Sequence, residues 1–499
     1  MTDTSLGGSG TAGGGFLAAL DTRDNGRLYI YLAILATIGG FLFGFDSSNI
    51  GSALPFLPFD LGAVGIGITV AGASLGSFVG ALVAGPLTDR FGRKSLLLVD
   101  SAVFALGSLL SAVAPDAVVL IIGRLLIGLA IGGDSAIATA YIAEFAPKRR
   151  RGSLSIIQQW MITIGILVAY LVAIIILLAA PGAAKTVDWR ILLGVGFIPA
   201  IVSLLLRARM PESPRWLLLR GREDDVRNAM TKLGMSVTAE QVHAEALALQ
   251  AEHQRVAGQT NWTPAVWRAL VIICVFFVFQ QITGINIAFY YGPKVLTPYF
   301  VAGTHVATVQ NEVSGVMAAA ILAVVNVIAT FFAFRYIDRV GRRRLAIGAY
   351  LLMIIFLLVG AVGASFLHGF VQLVVVVVGF ALFIACFAIG IGGTGWLIQG
   401  EVFPTPVRGR AASIGAAVDW LANYALILIF PILQVGIGLG WVMVIFAALC
   451  ALGAGFVYRF LPETKGLRAE EVIKLFDHPV ESAKRSGGAP LGPAPSPPG

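Results

Sequence analysis

Charged side chains are scarce in this sequence. Only 12% of its 499 residues are Asp, Glu, Lys or Arg, about half the share with which a soluble domain coats its surface. That deficit excludes a string of water-soluble domains. Cysteine is scarce as well. Cys274, Cys386 and Cys450 each sit inside an apolar run, which excludes a disulfide framework or a thiolate metal site. Histidine numbers five. His305 and His368 read as lying in loops on one side of the chain's spans, and His243, His253 and His478 in segments on the other, so they build no buried metal site. There is no P-loop, no HExxH and no G-x-S-x-G, so nothing anchors an enzyme reading. Nor does a cleavable signal peptide open the chain: the first 26 residues are Gly-rich and polar and lead into a full-length apolar run.

What is abundant is apolar sequence, at 57% of residues with a mean hydropathy of +0.86. Runs that reach the roughly 20 residues needed to cross a bilayer predict spans near 28–50, 62–87, 95–114, 117–144, 153–180, 190–209, 267–297, 313–336, 344–366, 370–402, 409–435 and 437–460. The formal charge of +8 does not point to nucleic acid, because the basic residues fall in short patches between spans. These are RFGRK at 90–94, KRRR at 148–151, RGR at 220–222, RRR at 342–344 and RGR at 408–410. Alternate connections are nearly free of them, with Lys185 and Lys294 the main exceptions. Such alternation is the positive-inside pattern and predicts a multi-pass protein of the cell membrane with both termini cytoplasmic. The one long polar stretch, 210–266, carries amphipathic patterns that predict short cytoplasmic helices. Residues 1–26 and the Pro/Gly/Ser-rich 485–499 read as disordered tails.

The chain repeats itself. Asp89-Arg90-Phe91-Gly92-Arg93 recurs 249 positions later as Asp338-Arg339-Val340-Gly341-Arg342. Glu144-Phe145-Ala146-Pro147 followed by Arg151-Gly152 recurs at an offset of 257 as Glu401-Val402-Phe403-Pro404 followed by Arg408-Gly409. Pro211-Glu212-Ser213 recurs as Pro462-Glu463-Thr464 at an offset of 251. Three motifs in one order at a near-constant offset predict two homologous six-helix halves, an architecture of transporters with a mid-membrane site between the repeats. The expected organisation is an all-α integral membrane protein of 12 transmembrane helices in two pseudo-symmetric bundles. A tail (1–26) would lead into an N-terminal bundle (27–209), a cytoplasmic helical linker (210–266), a C-terminal bundle (267–461) and a cytoplasmic C-terminal segment (462–499).

These motifs resemble those of the major facilitator superfamily, and of its sugar porter family in particular, over roughly residues 28–475. The resemblance rests on Gly44-Phe45-Asp46, Asp89-Arg90-Phe91-Gly92-Arg93-Lys94, Gly123-Arg124 and Pro211-Glu212-Ser213-Pro214-Arg215-Trp216-Leu217. To these it adds Gln280-Gln281-Ile282-Thr283-Gly284-Ile285-Asn286 with Tyr290-Tyr291, and Pro462-Glu463-Thr464-Lys465-Gly466. The Asp-Arg-x-Gly-Arg loop is only superfamily-specific; the QQITGIN run with both Pro-Glu motifs is much more so. The resemblance implies alternating-access transport of a monosaccharide or polyol with protons as the coupling ion, no cofactor and a monomer working in the lipid bilayer. Alternatives are a sugar uniporter, a superfamily transporter of an organic acid, phosphate or amine, and a non-transporting sugar receptor.

The residues suit such a task. Asp46 follows the apolar GGFLFGF; low-dielectric surroundings favour its neutral form, and a nearby cation, with Arg124 the candidate, favours the charged one. It could therefore take up and release a proton as Arg124 withdraws and returns, or form a permanent structural ion pair. Proton-coupled members of the family carry Asp here. Gln280, Gln281 and Asn286 offer donors and acceptors to hydroxyls without a fixed charge. A straight helix would scatter them, whereas a break at Gly284 and the Pro293 region would let them converge; they could also serve as glue between helices. By resemblance the site adds Gln159 and Asn326, with Phe43, Tyr290, Trp396 and Trp420 as walls. Trp396 follows the glycine-weakened Gly390-Ile391-Gly392-Gly393-Thr394-Gly395, which fits a hinge and gate and has no strand before it to make a dinucleotide site. Asp89, Arg93, Glu144, Arg151, Glu212, Asp338, Arg342, Glu401, Arg408 and Glu463 are expected to form a breakable cytoplasmic gate whose ion pairs hold that end together. Two positions depart from the sugar porter pattern: Asp134 in Gly132-Gly133-Asp134-Ser135, and Asp419, where an amide is usual. Either could accept a proton, bind an amine or tighten a sugar hydroxyl.

Overall fold

The computed structural model describes residues 15–17, 19, 26–145, 151–257, 262–300, 308–465 and 469–476. The side chains of Arg151, Asp338 and His253, together with His305, His478 and most of both expected tails, lie outside the described residues.

Eleven stretches of the described residues are long and apolar enough to cross a membrane. One of them, Val407–Phe460 at 54 residues, is more than twice the length of a single span. It divides at Gly438, whose φ of 80° breaks the helix. Twelve spanning helices result, labelled α1 to α12. The first half comprises α1 (Gly26–Ala53), α2 (Gly62–Phe91), α3 (Arg93–Ala112), α4 (Ala117–Phe145), α5 (Arg151–Ala179) and α6 (Trp189–Gly194 with Phe197–Ala208). The second comprises α7 (Pro264–Ile282, resuming as Ile287–Tyr290 and Gly292–Leu296), α8 (Val309–Val340), α9 (Arg342–Phe366) and α10 (Gly369–Phe387 through Thr394–Val402). Residues 405–437 form α11 and 439–460 form α12. The expected spans match these helices closely.

Local chemistry fixes the helix ends. Thr263 accepts a hydrogen bond from the Val266 N–H at the start of α7, with Pro264 at the first helical position. Thr308 caps α8 in the same way through the Asn311 N–H. Many large apolar side chains remain uncovered by protein, among them Ile175 at 67% and Phe370 at 78% exposure. An aqueous surface would not leave so many bare, and the chain is an integral membrane protein.

The two halves meet along three seams: α1 against the broken stretch of α7, α2 against α11, and α5 against α8. Backbones come close there. A Cβ on Gly67 of α2 would meet the Leu428 carbonyl of α11, and one on Gly51 of α1 the carbonyls of Phe289 and Tyr290. The linker forms three short helices, Pro214–Leu219, Glu223–Lys232 and Ala239–Ala257. The first docks on the end of α2, where the Trp216 indole N–H donates to the Asp89 carbonyl at 2.9 Å.

Candidate functional site

Between the halves lies a cavity of ≈ 100 Å³, room for roughly seven to ten waters at about 10–15 Å³ each. That is the scale of one small hydroxylated solute. Phe43, Gln159, Gln280, Gln281, Asn286, Asn326, Trp396, Asp419 and Trp420 all line it, as does Asp134. Tyr290 does not. Its backbone belongs to the short helix after the α7 break, and its hydroxyl lies against Ser47 and Ser74, near Asp46. Phe289 takes the wall position instead. The break in α7 shifts the helical phase by an amount that residue spacing does not reveal.

That break is Gly284. Its φ of 88° lies in the left-handed region, and a Cβ there would strike the Phe446 ring. The turn brings the amides together. Gln281 Nε2 donates to Asp419 Oδ1 at 2.7 Å, and Asn286 Nδ2 donates to Gln281 Oε1 at 2.8 Å and to Asn423 Oδ1 at 2.9 Å. Asn423 Nδ2 in turn donates to Ser74 Oγ of α2 at 3.0 Å, so the chain of bonds crosses between the halves. Ligand wall and interhelical glue are here the same groups. Asn423 escaped the sequence reading, although it stands one turn beyond Asp419 and so on its face of α11; Gln158, adjacent to Gln159, also lines the cavity unforeseen.

Two polar atoms on the wall have no partner among the described residues. Gln280 spends its Nε2 on the Gly392 carbonyl at 3.1 Å, but its Oε1 is buried without a donor. The Trp420 indole Nε1 is buried without an acceptor. A buried orphan costs about 1–3 kcal/mol, so an acceptor and a donor stand ready for hydroxyl groups. Aromatic faces complete the wall. Phe43 meets Trp420 edge-on with centroids 4.9 Å apart, and Trp396 packs on Phe277 at 5.0 Å. Trp396 follows a π turn at Ala388–Gly392, a local weakening of the kind found where helices bend in use.

Asp46 and Arg124 form a buried ion pair, α1 to α4. Neither lines the cavity. Asp134 is also paired, with the fully buried Arg207 of α6. The carboxylate fits because residue 39 is glycine: a Cβ on Gly39 would collide with it. Arg207 was missed because a cation two residues from the end of a span reads as one that reaches out to the interface.

At the motif end the charges repeat almost atom for atom. Arg93 bonds Glu144 through Nε at 3.0 Å and Nη2 at 2.9 Å, and Arg342 Nη2 bonds Glu401 at 2.7 Å. Glu212 and Glu463 play a different part from the gate pairs expected of them. Glu212 accepts the N–H groups of Arg93 and Lys94 at 3.0 and 3.2 Å; Glu463 accepts those of Arg342 and Arg343 at 2.9 and 3.2 Å. Each carboxylate caps the N-terminus of α3 or α9, where backbone donors lack intrahelical partners. Asp89 is a further departure: its side chain is 79% exposed and 3.6 Å from Arg93. The Arg93–Glu144 and Arg342–Glu401 pairs tie α3 to α4 and α9 to α10, so each binds helices of one half rather than the two halves to one another. Arg408 Nε donates to the Phe403 carbonyl at 2.9 Å, across the turn that starts α11.

A family profile described as "Sugar (and other) transporter" matches residues 32–476. This chain belongs to that family, the sugar porters of the major facilitator superfamily. Among its curated relatives, the glucose transporter GlcP of Staphylococcus epidermidis is 34% identical over 445 residues, covering 88% of this chain and 95% of the relative. The arabinose-proton symporter of Bacillus subtilis is 32% identical over 461 residues, with 91% and 97% covered. A solved structure of the proton:xylose symporter XylE bound to 6-bromo-6-deoxy-D-glucose superposes with a TM-score of 0.72 at 27% identity, covering 90% of this chain and 99% of that one. Like other sugar porters, this chain is a membrane transporter and not an enzyme, with the 12-helix fold of its superfamily.

Proposed function

We propose that this sugar porter is a proton-coupled symporter of a monosaccharide or polyol that works by alternating access, as a monomer with protons as its coupling ion and no cofactor. The motif-bearing end and both termini face the cytoplasm. The observation that carries the cargo reading is the cavity wall: an unpaired amide acceptor on Gln280 and an unpaired indole donor on Trp420, among aromatic faces. A sugar offers a hydroxyl hydrogen to the first, a hydroxyl oxygen to the second and its C–H faces to the aromatic rings.

Among the described residues the cavity wall carries no Lys, Arg or His. An organic acid or phosphate would meet Asp419 with no cation to offset it, which disfavours the anionic cargo. Proton coupling is assigned to Asp46. While Arg124 touches it, the carboxylate stays charged; when a shift of α1 against α4 within the N-terminal half, driven as the halves rock, draws Arg124 away, an isolated charge in apolar surroundings becomes costly and the carboxyl takes a proton. The similarity to proton symporters of arabinose and of xylose supports this reading. Arg93–Glu144 and Arg342–Glu401 keep each half's cytoplasmic end rigid, so that the halves move as bodies.

The test is uptake into proteoliposomes with an imposed pH gradient, acid outside, across labelled pentoses, hexoses, polyols, organic acids and amines. The expected result is gradient-driven accumulation of one sugar or polyol, abolished by a protonophore. Uptake that equilibrates without accumulating would make the protein a uniporter.

A further inference from the structure

The Asp46–Arg124 pair is not the only buried charge cluster. Ten residues further along α4, about 15 Å at ~1.5 Å per residue, Asp134 meets Arg207. The N–H groups of this guanidinium can be counted. Nε donates to the Leu35 carbonyl at 3.3 Å; Nη1 donates to the Leu97 carbonyl at 3.1 Å and to Ser101 Oγ at 3.2 Å; Nη2 donates to the Ala36 carbonyl at 3.0 Å and pairs with Asp134. All five donors of an arginine are thereby engaged.

A second carboxyl lies beside this full guanidinium. Asp100 of α3 sits against Gly133, whose Cβ would be 3.0 Å from its Oδ1. Gly133 is the chain neighbour of Asp134, and Ser101, which accepts from Arg207, is the chain neighbour of Asp100, so both partners of the ion pair stand beside this carboxyl. Asp100 Oδ2 is closed to solvent and has no hydrogen-bond partner among the described residues. Two carboxylates thus face one cation that has no N–H left for the second. If both were ionised, the cluster would hold a net negative charge with Asp134, Arg207 and Asp100 Oδ2 all closed to solvent. Two carboxyls in such a setting share a proton. Asp134 lines the transport cavity, which gives that proton a route in and out.

We propose that Asp100, Arg207 and Asp134 form a second protonation site, holding one proton between the two carboxyls and opening to the cavity at its motif-bearing end. Protonation forms one O–H bond on a carboxylate as one O–H bond of a hydronium ion in the cavity breaks and leaves water; nothing is oxidised or reduced. The site goes beyond coupling at Asp46 and places a second proton stop on the same helix, nearer the cytoplasm on the proposed orientation. Asp419 is the other carboxyl on the cavity wall, and it belongs to the amide chain of the opposite half.

The test is infrared pH-difference spectroscopy on the purified full-length protein in lipid, following the carbonyl band of protonated carboxyls. Asp100→Asn and Asp134→Asn each leave a single carboxylate facing Arg207, a neutral pair that needs no proton. Each should therefore remove the same component of the band, one proton equivalent, while Asp46→Asn leaves that component in place. Asp100→Glu, which restores a carboxyl, should restore the component. If Asp100→Asn and Asp134→Asn both keep the full wild-type band, the shared proton does not exist. If instead Asp46→Asn alters neither the band nor gradient-driven uptake, the coupling role of Asp46 fails while the second site stands.

Discussion

In the N-terminal half the buried polar side chains other than Ser and Thr are chiefly ions: Asp46 with Arg124, and Asp134 with Arg207, beside which lies the partly buried Asp100. In the C-terminal half they are chiefly amides: Gln280, Gln281, Asn326, Gln399 and Asn423, joined by the partly buried Asn286, with Asp419 the one carboxyl in their hydrogen-bond chain. The halves nonetheless share their motif-end chemistry. Arg93, Glu144 and Glu212 have counterparts in Arg342, Glu401 and Glu463 with matching bonds. Descent from one six-helix unit has kept what holds each bundle's end and diverged in what each bundle's interior handles. On the proposed reading, one half moves protons and the other holds the cargo.

The largest effect expected from this contrast is on stability. Arg124→Ala leaves a buried carboxylate without its cation and should cost about 3–5 kcal/mol, whereas Asn423→Ala, in an amide chain, should cost about 0.6–1.7 kcal/mol. Thermal unfolding in detergent measures both, and equal losses would erase the distinction between the halves. Next in size is cargo binding. Gln281→Ala should weaken sugar affinity about tenfold, or ~1.4 kcal/mol, with folding retained; unaltered binding by calorimetry would leave Gln281 as interhelical glue. Smallest is the shared end. Glu144→Gln and Glu401→Gln remove partly exposed pairs worth about 0–1 kcal/mol each, so exchange rates should change by no more than about fivefold, and by similar factors. A large difference between them would mean that the repeated motifs do unlike jobs.

Much of this was legible in the residues. Apolar run lengths gave the twelve helices nearly as they stand, including the pair that meets at Gly438, and the repeats paired Arg93 with Arg342. The carboxylates Asp46, Asp134 and Asp419 stood out because charge is rare in a span. Three things were not legible, each for a physical reason. Tyr290 and Phe289 exchanged places because a helix break at Gly284 resets the rotation from which faces are read. Glu212 and Glu463 turned out to be caps, since a carboxylate beside an arginine motif can bond its backbone as well as its side chain. Arg207 and Asp100 went unnoticed because the pairing that makes them matter joins α3, α4 and α6, a contact that no spacing within one helix encodes.

The proposed transport cycle depends on a division of labour in which Asp46 carries the proton and the C-terminal amides carry the sugar. The most direct measurement is sugar-induced proton movement, recorded with a pH electrode in a weakly buffered suspension of proteoliposomes, for wild type and Asp46→Asn. Wild type should draw protons inward as sugar enters and alkalinise the medium; Asp46→Asn should lose that signal yet still catalyse sugar counterflow. Alkalinisation by Asp46→Asn equal to that of wild type would contradict it.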